Sequence, residues 1–86
     1  MVYKIIYNRE SEKFLDKLDD KNYNKISQKL SLLLSDPWDK SLDIKKLQGL
    51  ADTFRLRVGD YRILYTIENS ELIIFVIEVG HRKDMY

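Results

Sequence analysis

Residues 54–67 restrict the fold more tightly than any other stretch of this chain. Phe54-Arg55-Leu56-Arg57-Val58 alternates apolar and basic residues, Gly59-Asp60 interrupts, and Tyr61-Arg62-Ile63-Leu64-Tyr65-Thr66-Ile67 follows. Two β-rich runs joined by two residues beginning with glycine predict a hairpin with a type II′ turn. Side chains alternate across a strand, so Phe54, Leu56 and Val58 point one way and Arg55 and Arg57 the other. In a suitable register Arg62 joins the two arginines. The apolar side of this hairpin must be buried against something else in the chain.

The N-terminal half supplies that cover. Val2-Tyr3-Lys4-Ile5-Ile6-Tyr7 reads as a strand and stops at Asn8, which suits a helix N-cap. Glu10 and Glu12 favour the positive end of a helix dipole, and Phe14, Leu15 and Leu18 share a face, so a short helix is predicted to end near Asp19. Asp19 or Asp20 caps a second helix, in which Tyr23, Ile26, Leu30, Leu33 and Leu34 form a stripe that Asp36-Pro37 stops. Residues 38–52 read as a connecting loop tacked down by Ile44 and Leu47, with Trp38 against the helical hairpin. After the polar turn Glu68-Asn69-Ser70-Glu71, Leu72 to Val79 reads as a last strand that Gly80 ends, leaving a polar tail. The fold class is α+β: an N-terminal strand, a two-helix hairpin, then a three-strand antiparallel meander, with the helices on one face of a mostly antiparallel sheet. The place of the first strand in that sheet stays open.

A chain of 86 residues is one domain, spanning 1–86. It is 44% hydrophobic and 34% charged, too apolar for a disordered segment and too charged for a membrane protein. There is no cysteine to form disulfides or thiolate metal sites, so side-chain packing must hold the domain together. Met1 to Ile6 has no long apolar region with a cleavage site, and the run Leu72 to Ile77 is too short to cross a bilayer, so a cytoplasmic location is expected. A net charge of +1 decides nothing about nucleic acid, because clustering of charge on one face is what matters.

Clustered arginines suit phosphate, since each guanidinium offers paired planar donors. The plain alternative is a solvated strand face with acidic partners, for which Asp52, Asp60, Glu68 and Glu78 are near enough in sequence. His81, the single histidine, rules out a multi-histidine metal site; Asp16, Asp19 and Asp20 read as helix-end charges, and no metal or cofactor is expected. His81 is also the side chain suited to exchange protons near neutral pH, and Tyr86 is a terminal tyrosine that frays unless something holds it. No glycine-rich phosphate loop or nucleophile elbow is present.

Three segments resemble the RelE/ParE toxin superfamily: Lys46-Leu47-Gln48-Gly49; Phe54 to Tyr65; and Val79-Gly80-His81-Arg82-Lys83-Asp84-Met85-Tyr86, whose ending points to the RelE side. The resemblance implies a RelE-like fold and the toxin of a type II toxin–antitoxin system, held inactive by a RelB-like antitoxin. It further implies an endoribonuclease that enters the ribosomal A site and cuts mRNA without a metal, by attack of the ribose 2′-hydroxyl. Carried over by motif, Arg62 and Arg82 clamp phosphate and Tyr86 orients or deprotonates the 2′-hydroxyl. His81 or Arg82 protonates the leaving oxygen, while Arg55, Arg57, Lys46 and Lys83 bind RNA. The competing functions are a ParE-like poison of DNA gyrase without RNase activity and a silent partner that binds only antitoxin and operator.

Overall fold

The computed structural model describes residues 4–49, 52–68 and 73–81, with backbone alone for 73–77. In chain order the elements are β1 (Lys4–Tyr7), α1 (Arg9–Asp16), α2 (Asp20–Ser35), β2 (Asp43–Lys46), β3 (Thr53–Val58), β4 (Tyr61–Glu68) and β5 (Ile73–His81). The strands form one sheet in the order β1-β5-β4-β3-β2. Its pairings are antiparallel except for β1, which runs parallel to β5. The α+β architecture expected from the sequence is therefore present, with two additions: the first strand lies at one edge of the sheet, and a short strand at the other edge replaces part of the expected loop.

Local chemistry accounts for the helix starts. Asn8 sits in extended backbone and its side-chain oxygen accepts the Ser11 N–H at 2.8 Å, satisfying a donor that the first turn leaves free. Asp19 occupies the N-cap of α2, where its carboxylate takes the Asn22 side-chain amide at 2.7 Å. That bond holds the Asp19 carboxyl below its ordinary range. α1 ends at Asp16, earlier than expected, yet Leu18 still packs against the core from the interhelical turn. Within α2 the buried stripe is Ile26, Leu30 and Leu33, while Tyr23 stands exposed at its margin.

Both helices contribute to one core with the sheet. Leu15, Ile26, Leu30 and Leu33 meet Leu56, Val58, Ile63, Tyr65, Ile67 and Val79, with Leu42 joining from the connection before β2. Leu33, Leu56, Ile63 and Tyr65 are fully enclosed, and burying an aliphatic side chain of this size stabilises a fold by about 1.5–3 kcal/mol. The β3–β4 hairpin turns at Gly59, whose φ of +57° suits the first central position of a type II′ turn, while Asp60 is not in the left-handed region. Trp38 departs from expectation: it stands 62% exposed, with its ring edge-on to Phe54 at 6.0 Å between centroids. Among the described residues no helix is long and apolar enough to cross a membrane.

Candidate nucleic-acid interface

The sheet register decides which cations share a face. Leu56 pairs with Ile63, placing Arg57 directly across from Arg62 and Arg55 across from Leu64. On the other side of β3, Arg57 pairs with Asp43 and Arg55 with Lys45. Arg55, Arg57, Arg62, Lys45 and Asp43 thus lie on the face opposite the helices. Two cross-strand pairs in this patch, Arg57 with Arg62 and Lys45 with Arg55, carry like charges, an arrangement that destabilises a sheet on its own. Such a pattern is favourable when an anion lies over it.

The three arginines are held differently. Arg57 is half exposed and its Nε lies 3.4 Å from the Asp43 carboxylate. Arg62 is only 7% exposed; its Nη1 donates to the carbonyls of Gly59 and Tyr61, both at 3.1 Å, which ties it to the hairpin turn. Gly80 stands opposite Arg62 on β5. The Nε atoms of Arg55 and Arg62 are buried without an acceptor. A buried donor of a charged group left in this state costs more than the roughly 1–3 kcal/mol of a neutral one, and a phosphate oxygen would satisfy it.

Several expected site residues fall elsewhere. Lys46 pairs with Phe54 and therefore lies on the helical side of the sheet; its neighbour Lys45 takes the place beside the arginines. A strand is sensitive to a shift of one residue, and the loop reading of 38–52 gave no alternation with which to choose between them. Gly80 does not end the last strand, which continues to His81. His81 pairs with Tyr61, on the side of Val79 and Ile63, and its ring meets the Tyr61 ring edge-on at 5.4 Å. Its Nε2 is 4.0 Å from the Asp60 carboxylate. His81 is thus separated from the arginines by the sheet. Arg82, Lys83 and Tyr86 lie outside the described residues. The acidic partner of Arg57 is Asp43, none of the four acids expected from proximity in sequence, although Glu78 does share this face, opposite Leu64.

Neither of the tyrosines with shifted acidity is a base for this face. Tyr65 stacks on Phe54 in the core, and burial pushes its hydroxyl far above the ordinary value. Tyr7 is raised by burial first and by Tyr23 second. No cluster of three or more His, Cys, Asp or Glu able to hold a metal occurs among the described residues.

This helical hairpin on a five-stranded sheet, with an arginine-bearing outer face, is the RelE type of toxin fold. It is similar to the archaeal RelE–RelB complex from Pyrococcus horikoshii OT3, with a TM-score of 0.82 and 26% identity over 95% of this chain and 97% of that one. In sequence it is 28% identical over 85 residues to the mRNA interferase toxin RelE of Escherichia coli K12, covering 96% of this chain and 86% of that protein. A further relative, toxin RelE3 of Methanocaldococcus jannaschii, is 48% identical over 48 residues, 56% of this chain and 52% of that protein. The family model for the ParE toxin of the type II toxin–antitoxin system parDE matches residues 5–86, and the chain belongs to that family.

Proposed function

We propose that this toxin is an endoribonuclease that cuts mRNA in the ribosomal A site and is restrained by a RelB-like antitoxin. The observation that carries the reading is the two like-charged cross-strand register pairs, Arg57 with Arg62 and Lys45 with Arg55, on the sheet face that the helices leave uncovered. RNA cleavage without a metal needs the 2′-hydroxyl aligned with the adjacent phosphorus, one proton removed, the added phosphate charge stabilised and the 5′-oxygen protonated. Guanidinium stays protonated, so Arg55, Arg57 and Arg62 bind and stabilise charge and do not serve as bases.

The motif assigns the remaining roles to the tail, with Arg82 on phosphate, Lys83 on RNA and Tyr86 on the 2′-hydroxyl. His81 faces away from the arginines, and Arg82, whose guanidinium stays protonated, is left to hydrogen-bond the leaving oxygen and offset its charge while water supplies the proton. The antitoxin partner is inferred from solved relatives that are RelE–RelB complexes, and it would shield the positive face from cellular RNA between uses.

The matched family is described by its ParE members, which keeps a second reading in view: a gyrase poison that cuts no RNA. One experiment separates the two. After induction, the ends of translated messages are sequenced for wild type, Arg62→Ala, Arg82→Ala and Tyr86→Phe. Cuts within A-site codons, weakened in all three variants, support the nuclease. Intact messages with accumulated gyrase–DNA breaks would replace it with the poison.

A further inference from the structure

Attack by a ribose 2′-hydroxyl needs a group that takes its proton, and the cations of the arginine face cannot serve. Guanidinium stays protonated, and the ammonium of Lys45 offers donors alone. His81 lies on the opposite side of the sheet. A phenol keeps its own proton at neutral pH, so a tyrosine brought to this face orients the hydroxyl without deprotonating it. An ionised carboxylate is an acceptor only, and the outer face carries three of them by alternation along its strands: Asp43, Glu68 and Glu78.

Their positions separate them. Asp43 is already engaged by Arg57. Glu68 closes the far end of β4, about 20 Å of strand from Arg62. Glu78 is exposed and has no ion-pair partner among the described residues. It shares a row with Arg55, each of them opposite Leu64. Two inter-strand steps, about 9–10 Å, separate those backbones, so a sugar-phosphate unit fits between guanidinium and carboxylate. Gly80, opposite Arg62, has no side chain, which makes Glu78 the nearest β5 side chain to Arg62 on this face, on a diagonal of about 7–8 Å. Directly beyond Glu78 the ladder slips by one residue: Leu64 pairs with Glu78, but Tyr65 pairs with Val76. A bulge of this kind bends its strand and re-aims the side chain beside it.

We propose that Glu78 is the catalytic base of this site, its carboxylate accepting the 2′-hydroxyl proton while Arg55 and Arg62 hold the phosphate. This role rests on the nuclease reading and supplies its proton acceptor. The 2′-oxygen bonds to phosphorus as its proton passes to Glu78, and the bond from phosphorus to the 5′-oxygen breaks. Water protonates the 5′-oxygen, and the proton on Glu78 neutralises the hydroxide left behind. The products are a 2′,3′-cyclic phosphate and a 5′-hydroxyl. Tyr86 is left to orient the nucleophile.

Glu78→Gln keeps the shape of an exposed side chain and removes its charge, so urea unfolding should match wild type. Single-turnover cleavage is measured for wild type, Glu78→Gln and Glu78→Asp on ribosomes programmed with a short message, and again on that message with a 5′-phosphorothiolate at the cut site. The glutamine variant is expected to lose roughly 10²- to 10⁴-fold in rate at saturating toxin. Its apparent affinity should be unchanged or tighter, because a negative charge has left a surface that grips an anion. Aspartate is expected to retain part of the rate. Sulfur departs without a proton, so the phosphorothiolate should leave the glutamine defect in place; full recovery on it would move Glu78 to the leaving-group side and overturn the base. A glutamine variant that cuts at or above the wild-type rate would also overturn it while leaving the nuclease reading intact, and would make Glu78 a solvated carboxylate that repels RNA. Uncut messages with the wild-type toxin would overturn the nuclease reading and the base with it.

Discussion

The two faces of the sheet are made of the same strands and solve opposite problems. On the helical face, Leu56, Ile63, Tyr65 and Val79 meet Leu15, Ile26, Leu30 and Leu33, and the hydrocarbon removed from water gains from the exchange, against the cost of an unpartnered Tyr65 hydroxyl. On the outer face, the alternate residues of β3 and β4 include Arg55, Arg57 and Arg62, two of which bury a guanidinium nitrogen without an acceptor. One face supplies stability; on the proposed reading the other gives some up to hold charge where an anion can use it. Residues one position apart in sequence therefore belong to different energetic regimes, and substitution should separate them.

The largest stability effect is expected on the helical face. Leu56→Ala opens a cavity at a fully enclosed position and should cost about 2–5 kcal/mol in urea unfolding. At temperatures where the variant remains folded, its RNA cleavage should persist; a loss of cleavage by folded protein would show the faces to be coupled. A smaller effect is expected from Asn8→Ala, which removes the acceptor for the Ser11 N–H and should lower stability by about 1 kcal/mol with RNA affinity unchanged. Smallest is Asp43→Asn. Its exposed pair with Arg57 is worth roughly 0.2–1 kcal/mol, so freeing Arg57 should tighten binding of a short oligoribonucleotide by at most about fivefold. Unchanged affinity, measured by fluorescence anisotropy at fixed salt, would remove Arg57 from the path of the RNA.

The same contrast explains what could be read from the sequence. The helical face was legible because burial imposes a period: alternation in β3 and β4, and steps of three and four in α2. The Asn8 cap and the turn at Gly59 were legible because each needs a particular local chemistry. β2 was not, since Asp43-Ile44-Lys45-Lys46 has a single apolar residue and becomes a strand only by pairing with β3. The parallel seat of β1 beside β5 is likewise a choice between distant partners.

Within the candidate site, alternation placed Arg55 and Arg57 together and made Arg62 a member if the register allowed. The register does allow it. What alternation could not convey is that Arg62 folds onto the carbonyls of its own turn, that Asp43 reaches Arg57, or that Lys45 and not Lys46 completes the patch. A glycine in a strand usually suggests its end, and at Gly80 that inference hid the strand position of His81. Continuation of the strand by one residue puts the histidine on the side of Val79.

Arg62→Met tests the division of labour between the faces most directly, with unfolding free energy and RNA cleavage measured on the same preparation. Methionine keeps a linear apolar stem and removes a buried guanidinium, and replacing buried charge with hydrocarbon is often neutral or stabilising by about 1–4 kcal/mol. The expected result is stability equal to or above wild type, with cleavage reduced roughly 10²- to 10³-fold. A variant that loses several kcal/mol of stability while cutting RNA at the wild-type rate would make Arg62 a fastening of the hairpin turn and contradict its place in the site.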